Sequence, residues 1–157
     1  MKVNILIIED CKAEAHILGQ TLERIMDEKP RIYHKTTLSD ALHILEEIQD
    51  DLDLVFLDLK LTDSPEWRKT YDSIAPYAKK VPIIVMSGDD NKDTMREVLK
   101  NGAEDYIVKG SKKRHVDVLK ETIDFALCRH QATRALVNEV VRDEQCIHWL
   151  SGGYSVE

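Results

Sequence analysis

The stretch Asp53-Leu54-Val55-Phe56-Leu57-Asp58 decides the fold. Four large apolar residues lie between two acids, and such a run suits a strand covered on both faces. Asp58 then stands where that strand leaves the core. In an open parallel α/β sheet, ligands gather beyond the carboxyl ends of the strands. The functional reading therefore turns on what the other strands deliver to the same edge.

Upstream, Val3 to Ile8 is apolar except for Asn4 and predicts a buried strand ending on Glu9-Asp10. Positions 17, 18, 21, 22 and 25 follow at helical spacing between Ala13 and Met26, and Pro30 follows that helix. Arg31 to Lys35 is less apolar and suits an edge strand. Thr37 or Ser39 can cap a helix with an apolar face of Ala41, Leu42, Leu45 and Ile48.

Downstream of Asp58, Ser64-Pro65 predicts an N-cap followed by proline at the first helical position, with Trp67, Tyr71 and Ile74 as the buried stripe. Val81 to Met86 predicts a fourth strand ending on Ser87-Gly88. A helix from about Asn91 closes at Gly102, where a left-handed residue is favoured. Glu104 to Val108 predicts a fifth strand ending on Lys109-Gly110. From about Lys112, Val116, Leu119, Ile123 and Ala126/Leu127 mark a last helix. Leu136, Val137, Val140 and Val141 extend its stripe, with no Gly or Pro before Gly152. Ser151-Gly152-Gly153 suits a frayed tail. Strands and helices alternate five times, so a parallel sheet with right-handed crossovers is expected. The expected division is a domain over residues 1–128 and a helical extension with tail over 129–157.

Composition narrows the function. The 157 residues carry 43% hydrophobic residues, enough for one core, and a net charge of −7, which argues against direct DNA binding. The three cysteines (Cys11, Cys128, Cys146) form no CxxC, so neither a zinc site nor a disulfide framework is indicated. Beside the acidic pair, Cys11 is expected to be a small packed residue. The six histidines show no ligand spacing. The start has no signal-peptide layout, and no window approaches the ~18 apolar residues of a membrane span. A cytoplasmic setting is expected.

Four of the five strands thus end in chemistry: Glu9-Asp10, Asp58, Ser87 and Lys109. Each residue alone suits an ordinary loop or turn. At one edge they form a coherent site. Carboxylates ~4 Å apart repel by about 4 kcal/mol at an effective dielectric near 20. They call for a cation, and hard oxygen donors select Mg²⁺ or a similar ion. Lys109 offers a second cationic contact to a phosphoryl group, Ser87 a hydroxyl donor, and Asp58 a nucleophilic carboxylate.

At this point the chain resembles the receiver domain of two-component response regulators, over residues 3 to about 128. The resemblance implies a flavodoxin-like (βα)5 three-layer sandwich with sheet order 2-1-3-4-5, here with an extended C-terminal helix. It implies that Glu9, Asp10, Asp58 and the backbone carbonyl of Lys60 hold Mg²⁺, with Mn²⁺ as the alternative ion. Asp58 corresponds to the phosphoacceptor, Ser87 and Tyr106 to the switch pair, and Lys109 to the phosphate-binding lysine. Lys60 and Asp89, each two residues beyond a site residue, stand where receivers tune dephosphorylation. The implied chain is not an enzyme; it accepts a phosphoryl group on its own Asp58 and releases it slowly. The expected partner is a sensor histidine kinase or histidine phosphotransfer protein, and the last helix suits homodimerisation or partner docking. No output module is recognised after residue 128. A full switch from 1:99 to 99:1 requires a differential of ~5.5 kcal/mol.

Two departures stand out. Gly110 occupies a position where many receivers have proline, which preserves tight-turn freedom. After Asp58, Leu61-Thr62-Asp63-Ser64-Pro65-Glu66-Trp67 replaces the usual Leu-Pro-Asp-x-x-Gly. That loop keeps open a phosphate-independent pseudo-receiver. A phosphatase of the haloacid-dehalogenase type is disfavoured, because Lys60 stands where that family needs a second Asp. Neither GxxxxGK[ST] nor GxGxxG occurs, which disfavours nucleotide binding.

Overall fold

The computed structural model describes residues 2–110 and 116–151, with 143–151 given as backbone alone. Five strands, β1 (Asn4–Ile8), β2 (Arg31–Lys35), β3 (Leu54–Leu57), β4 (Ile83–Ser87) and β5 (Asp105–Val108), form one parallel sheet in the order β2-β1-β3-β4-β5. Five helices alternate with them: α1 (Lys12–Ile25), α2 (Leu38–Ile48), α3 (Trp67–Ile74), α4 (Lys92–Lys100) and α5 (Val116–Ser151). This is the expected flavodoxin-like arrangement. The expected start of the last helix near Lys112, and the tail beyond Ser151, lie outside the described residues.

The alternation within each strand builds two cores. In β3, Val55 and Leu57 join the layer with Leu45, Tyr71 and Ile74, while Leu54 and Phe56 join the layer with Leu22, Ile123 and Ala126. All four β3 residues are buried, as a central strand with helices on both faces requires. Burying a side chain such as Phe56 contributes roughly 1.5–3 kcal/mol. The edge strand β2 is the least buried of the five, and its composition is correspondingly mixed.

Two helices depart in detail from the expected pattern. In α1 the buried residues are Ala15, Leu22 and Ile25, whereas Ile17 is 60% exposed. Thr21 turns its hydroxyl to the Ile17 carbonyl. The start of α3 is two residues later than Ser64-Pro65 suggested. Ser64 and Leu61 exchange backbone hydrogen bonds of 3.0 and 3.1 Å, which closes a tight turn before the helix. The Ser64 side chain is fully buried against the Thr70 hydroxyl, 2.8 Å away, and is not a cap. Of the expected α3 stripe, Tyr71 and Ile74 are buried and Trp67 is half-buried, with the Arg68 guanidinium 4.9 Å from its ring centre. Of the two candidates Thr37 and Ser39, Thr37 caps α2; α4 starts as expected near Asn91, whose side chain caps it, and Gly102 has φ +107°.

The helix α5 crosses residue 128 without a break and runs for 36 residues, about 54 Å at 1.5 Å per residue. Leu119, Ile123 and Ala126 pack on the sheet. Farther along, Arg129 pairs with Glu104, and Arg134 donates to the Lys80 carbonyl at 2.7 Å. These contacts tie the helix to the edge opposite the strand carboxyl ends. Beyond them Leu136, Val137, Val140 and Val141 are 44–63% exposed.

Candidate functional site

Register brings the strand ends together. Ile8 pairs with Leu57, Leu57 with Val85, and Ser87 with Val108. Glu9, Asp58 and Lys109 each follow one of those last paired residues. The Asp58 amide donates to the Ile8 carbonyl at 2.9 Å, and the Lys109 amide to the Ser87 carbonyl at 2.8 Å. The sheet ladder thus continues into the site and holds its backbone.

The expected acidic cluster is present. One carboxylate oxygen each from Glu9, Asp10 and Asp58 lies within 4.8 Å of the others. Glu9 and Asp58 are buried, at 6% and 8% exposure, whereas Asp10 lies half-open on the rim. Hard oxygen donors from three acids at this spacing fit a small divalent cation such as Mg²⁺.

The protein already sets one cation against these charges. The Lys109 ammonium contacts Glu9 Oε2 and Glu14 Oε2 at 2.5 Å each, and Asp58 Oδ2 at 3.1 Å. Burial works against the Lys109 charge, but its bonds to Glu14 and Glu9 and the Asp58 charge outweigh burial and push its pKa up. Glu9 shows the opposite balance. Burial pushes its pKa up to about 7, against the pull of Lys109 and of the Cys11 amide, while the Asp58 charge adds to the rise. Glu9 is also held by its Oε1, which accepts from the Cys11 amide at 3.0 Å, by its backbone carbonyl, which meets the His34 ring at 2.8 Å, and by its amide, which donates to the Lys35 carbonyl at 3.0 Å.

On the other side, Ser87 and Tyr106 meet through the backbone of Asp89. The Asp89 amide donates to Ser87 Oγ at 3.2 Å, and the Tyr106 hydroxyl donates to the Asp89 carbonyl at 2.8 Å. Tyr106 is 7% exposed and turned inward. Burial is the first cause holding its hydroxyl above the usual tyrosine range, and Asp89, Asp58 and Asp90 add to it against a bond to Ser87. Asp89 also caps the loop through its side chain, which accepts from the Asn91 amide. The Lys60 amide donates to Asp58 Oδ1 at 3.1 Å, which orients the central carboxylate. Gly110 takes φ +77°, a conformation that suits glycine and turns the chain sharply after Lys109.

Three contributors were not singled out from sequence. Glu14 is an acid in the first turn of α1, a common place for one because of the helix dipole. The signal that could have found it is its place in the first turn of the helix that leaves the Glu9-Asp10 pair, which keeps it close to the same sheet edge. Thr62 donates its hydroxyl to Asp10 Oδ2 at 2.9 Å. Asp63 accepts from the Leu38 and Ser39 amides at the start of α2. Burial nudges the Asp63 carboxyl upward, but those two amides overcome it and hold its pKa low. The atypical loop is therefore fastened on both sides of the site. Cys11 corrects the expectation of a packed residue: it is exposed, because it sits at the N-cap of α1 with its side chain outside both cores.

Comparison with known proteins follows this geometry. The model of the response regulator receiver domain matches residues 5–121. The chain is 35% identical over 116 residues to the transcriptional regulatory protein KdpE of Staphylococcus aureus, covering 69% of this chain and 44% of that protein. It is 27% identical over 139 residues to the transcriptional regulatory protein ZraR of Klebsiella oxytoca, covering 88% and 29%. The chain thus spans less than half the length of these two relatives. Among solved structures, the signal receiver domain of a Vibrio parahaemolyticus repressor protein superposes with a TM-score of 0.72 at 25% identity, covering 87% of this chain and 98% of that one. A receiver domain protein from Clostridium thermocellum superposes with a TM-score of 0.69 at 20% identity, covering 83% and 98%.

Proposed function

The chain belongs to the response regulator receiver domain family of two-component signalling, and on that premise we propose that Asp58 is its phosphoacceptor. The observation that carries this reading is the setting of Asp58. It is a buried carboxylate at the end of the central strand, with an ammonium 3.1 Å away and two further acids beside it. A carboxylate oxygen of Asp58 attacks phosphorus on a phosphohistidine. The new O–P bond forms as the N–P bond breaks, and the imidazole leaves with the electron pair. The donor is a sensor histidine kinase or a histidine phosphotransfer protein.

Glu9, Asp10, Asp58 and the Lys60 carbonyl are the proposed donors to Mg²⁺, which when bound neutralises charge on the transferring group and orients it. Lys109 donates to a phosphoryl oxygen, a charge-assisted bond in a largely enclosed cleft. Ser87 supplies a hydroxyl donor on the opposite side. Because Asp89 carries backbone bonds to both Ser87 and Tyr106, a shift of Ser87 is felt at Tyr106 and at the surface of α4 and β5. Lys60 and Asp89 stand at the two sides of the acceptor and tune how fast water removes the phosphoryl group. The chain turns over no substrate of its own.

For the extension, we propose that α5 pairs with a second copy. Its exposed stripe continues the face that Leu119, Ile123 and Ala126 bury within the domain. A self-facing helix pair is isologous, and three of the four stripe residues are valines, the β-branched type that suits two-stranded packing. No described helix is long and apolar enough to cross a membrane, and a cytoplasmic setting fits the kinase partner.

The test is intact mass after incubation with acetyl phosphate and Mg²⁺, with Asp58→Asn and EDTA as controls. One phosphate adduct, labile to hydroxylamine and absent from both controls, is expected. No adduct on folded protein would turn the reading to phosphate-independent docking.

A further inference from the structure

We propose that Glu14 is a negative determinant of phosphorylation. It holds the Lys109 ammonium in competition with the phosphoryl group on Asp58. The proposal rests on the reading of Asp58 as acceptor.

An ammonium has three N–H donors. On Lys109 all three face carboxylates: Glu9, Glu14 and Asp58. Two of these acids have other work in the proposed chemistry, since Glu9 is a metal donor and Asp58 takes the phosphoryl group. Glu14 comes from the first turn of α1, and its side chain is 45% exposed where those of Glu9 and Asp58 are 8% and 9%. It reaches Lys109 from the rim.

Position gives the sign of its effect. The ammonium lies at 2.5 Å from both glutamates and at 3.1 Å from Asp58, so it is drawn to the glutamate side. A phosphoryl group brings about −2 charge and three acceptor oxygens to Asp58. It gains from Lys109 only as far as Glu14 lets the ammonium turn. Glu14 also adds one negative charge beside a group that is itself a dianion. Both effects oppose the phosphorylated form; in the isosteric amide the charge is gone and the hold on the ammonium falls to a weaker, neutral-acceptor bond.

The experiment titrates wild type, Glu14→Gln, Glu14→Asp and Asp58→Asn with beryllofluoride at saturating Mg²⁺ by calorimetry. The Mg²⁺ affinity and melting temperature of each are measured separately. Glu14→Gln is expected to bind beryllofluoride roughly fivefold more tightly than wild type, a modest effect because the acid is partly exposed. Glu14→Asp, which keeps the charge but is one methylene shorter, is expected between the two. A gain in affinity without a gain in melting temperature separates this role from simple scaffolding. Equal or weaker binding by Glu14→Gln, with wild type binding normally, overturns the proposal alone. Wild type that fails to bind overturns the acceptor reading, and the Glu14 proposal with it.

Discussion

The Thr62 hydroxyl donates to Asp10 Oδ2 at 2.9 Å, across 52 positions of sequence. This bond ties the unusual loop after Asp58 to the acidic pair. Partners that orient a metal ligand typically govern 10–100-fold in metal affinity. Thr62→Val is therefore expected to weaken Mg²⁺ binding about tenfold, with Thr62→Ser close to wild type. Calorimetric titration with Mg²⁺ measures it. An unchanged dissociation constant in Thr62→Val would remove Thr62 from the metal site.

The metal-free protein is expected to lose stability as pH rises from about 4.5 to about 7. Burial raises the folded-state pKa of Glu9 from 4.5 to about 7, so the folded state holds a proton that the unfolded chain has released. Stability is highest below the unfolded value and falls until Glu9 ionises in the fold. At 1.36 kcal/mol per unit, the loss is at most ~3 kcal/mol. Lys109, with its pKa raised, stays charged across that window and does not contribute to the slope. Urea denaturation at pH 5 and pH 7.5 measures the effect. Glu9→Gln flattens the slope and Mg²⁺ opposes it; a slope that persists in Glu9→Gln would place its origin elsewhere.

Tyr106→Phe removes the bond to the Asp89 carbonyl. One such bond contributes about 1 kcal/mol, and a loss of that size is expected in chemical denaturation. Faster amide exchange is expected at Asp89, Asp90 and Asn91, because Asp89 then hangs from Ser87 alone among the contacts linking it to those two residues. Unchanged exchange in this loop would show that Tyr106 does not brace it.

The α5 stripe predicts a concentration-dependent dimer in analytical ultracentrifugation. Leu136→Glu with Val140→Glu places charges on the exposed face and is expected to give a monomer with an unaltered domain melting temperature. A wild-type chain that stays monomeric at every concentration would refute the pairing.

Much of this architecture was legible because each central strand is an unbroken apolar run ended by a polar residue. Leu54 to Leu57 can lie only where both faces are covered, and the same holds for Ile83 to Met86. Turn chemistry was legible where a side chain acts on the nearby backbone, as at Thr37, one of the two cap candidates. It failed at Ser64-Pro65. There the local signal for a helix start was genuine, but the Ser64 backbone was already committed to Leu61 and its hydroxyl to Thr70. Ile17 failed for a related reason. It has the right helical period, yet α1 buries its face through Ala15, Leu22 and Ile25, and period alone does not say how wide that face is.

Sequence by itself determined the sheet type, the strand order expected of the family, and the edge at which Glu9, Asp10, Asp58, Ser87 and Lys109 would meet. The sheet type and the shared edge follow from hydrophobic runs and strand polarity, which are local properties of the chain, and the order follows from the resemblance to receiver domains. Only the tertiary structure decided which charges touch. Lys109 lies 100 positions from Glu9, 95 from Glu14 and 51 from Asp58. Whether its ammonium reaches all three depends on the register of four strands and the seating of α1 on the sheet. Electrostatic contacts are settled over a few ångströms, and no local pattern carries distances that fine across so much chain.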